Sequence, residues 1–478
     1  MSEHRRPNIL FIMSDDHAAH AISAYGSQVN ETPQIDRIGN EGVRLDNCFC
    51  TNSICAPSRA TILTGTHNHI NGVLTLADDL DGRQENVAKL LQGEGYQTSI
   101  FGKWHLGHGG DADPAGFDRW VVLPGQGDYH DPHFYDQGEL VHRDGYVTDL
   151  ITEYALGWLE DRDHERPFMM MLHHKAPHRP WQPDEKHASM YEDLDIPLPE
   201  TFDDDYENRS NAARNAEMRI ESNLYDTDLK KPVPDGLSPR DEKIWKYQRY
   251  MKDYLRCIAS VDDNVGRVLD YLDEDGVADD TIVIYTSDQG FFLGDHGWYD
   301  KRFMYEESLR MPFLMRYPRE IPAGTVVDAI VTNVDFAPMF LDYAGQAPTE
   351  RMQGLSFRSI VAGGDVPEDW PEAMYYRYWM HLTDHYVPAH YGVRTTTHKL
   401  IYYYGQALGT SASIDEPTEP EWELFDLEAD PQEMRSVYGD PAYAQIQREL
   451  ADLMYRLQSD AGDKPAPGDA VATELGYL

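Results

Sequence analysis

Residues able to do chemistry gather at three places in the chain. Ser14-Asp15-Asp16 directly follows the apolar run Ile9–Met13, and Ser287-Asp288-Gln289-Gly290 directly follows Thr281–Thr286. Ligands of open α/β sheets bind at the carboxyl ends of strands. Three carboxylates and an amide oxygen there suit a hard cation, Ca²⁺ or Mg²⁺. Each motif alone also reads as a helix cap or turn. The third place is Cys55-Ala-Pro-Ser-Arg-Ala-Thr-Ile-Leu-Thr-Gly65. Pro57 fits a first helical turn, which sets Cys55 at a helix N-terminus. Amide dipoles there favour an anion, so the thiol is expected to be partly thiolate. Arg59, one turn on, can face the same point and pair with an anion.

The elements that must hold these residues follow from periodicity. Ile9–Met13, Thr98–Phe101, Phe168–Leu172 and Thr281–Thr286 are apolar runs of the kind buried on both faces of a parallel sheet. Helical spacing predicts helices over Gln84–Gln92, Tyr146–Leu159 and Ile244–Leu272, the last stopped by Gly276. Strands alternating with helices predict an α/β fold with a mostly parallel sheet. Residues 200–241 are charged and turn-rich and read as a surface insertion within a catalytic domain spanning 1–365. From about 366 the composition changes. Aromatic strands over Met374–Trp379 and Lys399–Tyr404 and an amphipathic helix over Tyr443–Leu457 predict a smaller C-terminal α+β domain, 366–478.

Charge excludes some functions. The 478 residues hold 41 Lys+Arg and 83 Asp+Glu, a formal charge of −42. Nucleic acid and anionic membranes need basic surfaces, so neither is expected as a partner. Any anion site must be a local basic pocket. Only 12 of the basic residues are lysine, a balance that would suit a high-salt cytoplasm. With 41% hydrophobic and 11% aromatic residues, the chain is rich enough in core formers to fold. Four cysteines make no disulfide framework, and Cys48 and Cys50 read as small core residues. No run approaches the roughly 20 apolar residues of a membrane span, and Ile9–Met13 is too short for a signal-peptide core. A cytoplasmic location is therefore expected.

The run Cys55 to Gly65 resembles the type I sulfatase pattern Cys-x-Pro-Ser-Arg-x-x-x-x-Thr-Gly at every fixed position. Gly102-Lys103-Trp104-His105-Leu106-Gly107 resembles the family's second motif. Ala176-Pro177-His178-Arg179-Pro180 is similar to its histidine loop, and Asp288-Gln289-Gly290 with Lys301 to its metal and lysine segment. The resemblance runs from Pro7 to about Tyr438 and implies an alkaline-phosphatase-like fold: a mostly parallel sheet sandwiched by helices, with a smaller C-terminal α+β domain.

It implies that a maturation enzyme oxidises Cys55 to formylglycine, whose hydrate attacks sulfur. Asp15, Asp16, Asp288 and Gln289, with the group at 55, would hold Ca²⁺. Arg59 and Lys103 would hold the hydrate, His178 and Lys301 the sulfate and leaving oxygen, and His105 would help expel sulfate. Both charges of an anion attacked by a nucleophile must be neutralised, which metal and cations do. The passage from Thr286 to Ser308 resembles the carbohydrate-sulfate branch, with N-acetylglucosamine-6-sulfatase and iduronate-sulfatase relatives. It is less similar to the choline-sulfatase branch, and phosphonate monoester or phosphodiester hydrolases share the pattern. A sulfated mono- or oligosaccharide is the expected substrate. Arg377, His381, His385, His390 and Arg394, in an aromatic and histidine-rich stretch, are the candidates to bind it. His173 and His174 read as core histidines, and His17 and His20 could line the mouth or cap a helix.

Overall fold

A computed structural model describes residues 6–478. Its main sheet has ten strands, and five parallel neighbours form the middle. In spatial order these are Thr281–Ser287, Asn8–Ser14, Phe168–His173, Gln97–Lys103 and Arg119–Leu123. On one side Phe313–Arg316 runs antiparallel, with Val43–Leu45 and Thr325–Val327 beyond it running with the central five; on the other side His133–Asp136 and Glu139–His142 alternate in direction. The first strand shows why its sequence is a continuous apolar run. Ile9, Phe11 and Met13 enter the core on one face, while Leu10 and Ile12 enter the core on the other. Strand alternation thus buries every position when helices cover both faces.

Helices Cys55–Thr64, Val87–Gly93 and Phe336–Tyr343 cover one face. Val147–Asp161 and the 36-residue helix Pro239–Glu274 cover the other. The long helix begins five residues before its apolar period, because Ser238 accepts the Asp241 N–H and Pro239 fills the first turn. The stretch 200–241 forms two short helices, Asn211–Asn215 and Asp226–Leu229, with Ala213, Met218 and Ile220 fully buried. Its Tyr206 ring stacks on Trp298.

A second, antiparallel sheet of four strands lies C-terminal: Ala373–Tyr378, His390–Thr395, His398–Tyr403 and Glu421–Asp426. Helix Ala444–Asp460 packs on one face through Leu450, Met454 and Tyr455. The other face, with Tyr376, Tyr378, Ile401 and Phe425, joins the core beneath the Cys55 helix. Cys48, Cys50, Cys55 and Cys257 are all free and buried. Among the described residues no helix is long and apolar enough to cross a membrane.

Candidate active site

Strand register assembles the site. Ser14 lies opposite Ser287, so the strands Asn8–Ser14 and Thr281–Ser287 end level, and Asp15 and Asp288 leave them side by side. Asp16 adopts a left-handed backbone, φ 67°, which an Asp tolerates and which a functional site can hold. Its N–H donates to Asp288 Oδ1 at 3.2 Å, and Tyr254 holds its carbonyl at 2.8 Å. Oxygen atoms of Asp15, Asp16 and Asp288 come within 4.8 Å of one another.

The helix Cys55–Thr64 starts at Cys55, and all ten of its residues are buried. Ser58 donates to the Asp288 carbonyl and receives the Asn333 amide at 2.9 Å, which locks this helix to the second acidic strand end. Arg59 is 2% exposed. Its Nε reaches Asp288 Oδ2 at 3.0 Å and its Nη1 the Lys103 carbonyl at 2.7 Å. Lys103 sits at the end of Gln97–Lys103 and forms an ion pair with Asp15. Gly102 before it has φ 102°, and a Cβ there would lie 1.9 Å from the His173 carbonyl oxygen, so only glycine lets these strand ends close up. Lys301 Nζ lies 2.6 Å from Asp16 Oδ1. His178 Nδ1 donates to the Arg179 carbonyl at 2.7 Å, which leaves Nε2 aimed at Asp16 Oδ2, 3.8 Å away. An oxygen of Asp15, Cys55 Sγ and a His178 nitrogen also lie within 4.8 Å of one another.

Three cations here meet three carboxylates, yet oxygens remain over. Asp15 Oδ1, Asp16 Oδ2 and Gln289 Oε1 are buried with no hydrogen-bond donor. Buried oxygens left this way mark a missing cationic partner. Burial, then crowding by Asp15 and Asp288, pushes the Asp16 carboxyl up to about 8 against the pull of Lys301. Burial would raise Asp15 too, but Lys103, His178, Arg59 and Lys301 hold it well below the carboxylate range. A divalent cation thus fits the donor set of Asp15, Asp16, Asp288 and Gln289.

Residues 7–346 match the Sulfatase family, and residues 294–460 match the C-terminal region of N-sulphoglucosamine sulphohydrolase. The chain belongs to the sulfatase family. It is 43% identical to an N-acetylglucosamine-6-O-sulfatase of Bacteroides thetaiotaomicron, over 96% of this chain and 88% of that protein. A solved structure described as a complex with its substrate D-glucosamine-2-N,6-O-disulfate has a TM-score of 0.89 and 42% identity, and covers 98% of this chain and 99% of that one. A phosphonate monoester hydrolase of Agrobacterium radiobacter has a TM-score of 0.74 at 21% identity, covering 95% of this chain and 96% of that one, and shares the fold.

In this sulfatase, Cys55, Arg59, Lys103, His105, His178 and Lys301 all come to one end of the sheet, as do Asp15, Asp16, Asp288 and Gln289. The expectation of a partly ionised thiol is corrected. Burial, then Asp15, pushes Cys55 up to about 12, and the helix end with Lys301 and Lys103 does not offset this. The unmodified thiol is thus a poor nucleophile.

The five sugar candidates are not gathered into one place. Arg377 pairs with Asp463 at 2.8 Å and lies 3.6 Å over the Trp379 ring. Arg394 pairs with Glu306 at 3.1 Å. His381 uses both ring nitrogens, on the Glu416 carbonyl and the Ala389 N–H. His390 packs among Tyr376, Tyr378 and Tyr403. Arg377 and the two histidines serve the C-terminal part itself, while Arg394 joins its sheet to Glu306, Asn47 and the Phe49 ring. Only His385 reaches the catalytic group, through Asp300 at 3.3 Å, beside Lys301.

Sequence reasoning missed Gln126, Asp300, Ser58 and Asn333. Gln126 takes the Lys103 ammonium on Oε1 at 2.5 Å and faces His105 Nε2 with its NH₂ at 3.4 Å. It sits just past the strand Arg119–Leu123, so the strand-end rule could have found it.

Proposed function

We propose that the chain hydrolyses the 6-O-sulfate ester of a glucosamine-type sugar, with formylglycine at position 55 and Ca²⁺ in the acidic cluster. The observation that carries the sugar reading is the 43% identity, over nearly the whole chain, to an N-acetylglucosamine-6-O-sulfatase. The oxygen-only donor set of Asp15, Asp16, Asp288 and Gln289 suits Ca²⁺, which when bound supplies positive charge facing the sulfate oxygens. Formylglycine at 55 supplies a geminal diol as nucleophile.

The chain's own residues do the rest. Lys103, paired with Asp15, and Lys301, paired with Asp16, would flank the sulfate. Asp16 and its neighbours hold Lys301 charged despite burial, so it keeps its proton through the reaction. His178 presents Nε2, because its Nδ1–H is fixed on a carbonyl. Burial, then Lys103 and Lys301, depresses its basicity. A sulfate ester beside it partly cancels those cations, and a proton then held at Nε2 is readily given to the leaving oxygen. His105 keeps a buried Nδ1 without a partner, and Gln126 holds the other side of the ring.

Three measurements test this reading. Rates on defined sulfated mono- and disaccharides should be highest on 6-sulfated glucosamine sugars, and no turnover of any of them would sink the substrate assignment. Paired aryl sulfate and aryl phosphonate esters should favour the sulfate. Mass spectrometry of the peptide holding residue 55 should show the aldehyde or its hydrate in active protein. Full activity with an intact Cys55 thiol would refute the nucleophile.

A further inference from the structure

Tyr225 is the one aromatic side chain among the described residues that is exposed, at 59%. The other Phe, Tyr and Trp rings among those residues are buried or half-buried. Its place is fixed from below. The Arg179 guanidinium lies 4.5 Å over the Tyr225 ring and 5.1 Å over Tyr299. Arg179 is in turn held by the buried carboxylate of Asp228, with Nε at 3.2 Å from Oδ1 and Nη2 on Oδ2. Asp228 Oδ2 also accepts the Tyr225 N–H at 2.9 Å. The two chain segments that carry this stack are those of the site: Arg179 follows His178, and Tyr299 lies two residues before Lys301.

We propose that Tyr225 is a stacking platform for an uncharged sugar ring linked to the sulfated one. This rests on the carbohydrate reading above. One ring face is covered by guanidinium, so the exposed surface is the other face and the edges. The charge of Arg179 is neutralised by Asp228, so the platform offers no free cation for a second sulfate or a carboxylate. What remains is a flat, rigid apolar face, which matches the C–H face of a pyranose. Arg179 follows His178 in the chain and its guanidinium carries the ring, so one arginine side chain stands between the platform and the sulfate-facing histidine, room for a neighbouring sugar rather than the sulfated one.

The test compares three substrates of the mature, metal-loaded enzyme: a 6-sulfated glucosamine, the same sugar linked to a neutral hexose, and an aryl sulfate. Tyr225→Ala should raise KM for the disaccharide roughly tenfold, the scale of one lost stacking contact. Its kcat should stay level, and the monosaccharide and aryl ester should be unaffected. Tyr225→Phe keeps the ring and should behave as wild type. An unchanged disaccharide KM in Tyr225→Ala, or an equal rise on all three substrates, overturns the platform. If wild type cleaves the aryl ester but neither sugar, the carbohydrate reading falls and the platform with it. If it cleaves both sugars and the alanine variant matches it, the platform alone falls.

Discussion

Around Cys55, the cations Arg59, Lys103 and Lys301 face Asp15, Asp16 and Asp288. Against the C-terminal sheet, Arg377, Arg394 and Lys399 face Asp463, Glu306 and Glu433. Both groups set three basic side chains against three acidic ones. They differ in what is left over. Each carboxylate oxygen of Asp463, Glu306 and Glu433 meets a cation or a donor hydrogen. What lacks a hydrogen-bond partner there includes donor nitrogen, Arg377 Nε and Arg394 Nη1, together with Glu433 Oε1, which still lies 2.6 Å from Lys399 Nζ. Near Cys55 the leftovers are oxygens of Asp15, Asp16 and Gln289. Balanced charge marks a structural joint as readily as an active site; unpaired acceptor oxygen separates the two.

The largest break is expected from Asp288→Ala. It should release the divalent ion, read by elemental analysis, and cut aryl sulfate turnover by about a thousandfold or more while the fold persists. Full ion content in that variant would remove Asp288 from the donor set. Asp463→Ala should do the reverse. It strands Arg377 without its carboxylate, so denaturant melts should show a loss of about 3–5 kcal/mol. Turnover per folded molecule should stay within about twofold of wild type, and a stable but inactive variant would give Arg377 a part in catalysis.

Lys175 sharpens the comparison, because this 1% exposed cation lies over the Tyr129 ring, 4.9 Å away, with its amine depressed to about 8 by burial and Lys103. An unfolded lysine titrates near ~10.4. Between those values the unfolded chain binds the extra proton, so stability rises with pH across that window, by roughly 3 kcal/mol in all. Lys175→Met should flatten the rise and add stability at pH 7, as pH-dependent melts will show; an unaltered profile would mean that Lys175 stays charged. The smallest effect concerns the −42 surface. Screening of self-repulsion should raise the melting temperature by a few degrees from low to molar KCl, and a flat curve would count against a high-salt origin.

Much of this was legible in the sequence for one physical reason. Strand ends in a parallel sheet concentrate ligands, so Asp15 and Asp288 announce a site by what precedes them. Four of the five central strands were equally visible, since burial on both faces removes polar residues from the run; Arg119–Leu123 was not among them. The Cys55 helix had no such signal: all ten residues are buried, and no amphipathic period survives. It was found through its motif. Arg377, His381, His390 and Arg394 are not brought together by the fold, and an aromatic, histidine-rich strand has the same composition in a sugar cleft and in a doubly buried sheet. Their partners, Asp463 and Glu306, lie 86 and 88 residues away, and no local pattern brings them together. His385 differs only in its contact with Asp300.

Tyr376 stands on the first strand of the C-terminal sheet. Its hydroxyl donates to the Arg302 carbonyl at 2.7 Å and receives the Ser53 N–H at 3.1 Å. One atom thereby ties the segment just before the nucleophile to the segment just after Lys301. This sets an order in time. A ribosome has made the acidic strand ends, the cysteine and both lysines before position 376 is added; Ser53 Oγ on Ser308, at 2.7 Å, and the Cys50 N–H on Leu309, at 3.1 Å, can already join the two segments, and Tyr376 adds its tie only when it emerges. A chain cut off at residue 365 would carry every side chain of the acidic and basic cluster and lack this additional tie beneath it.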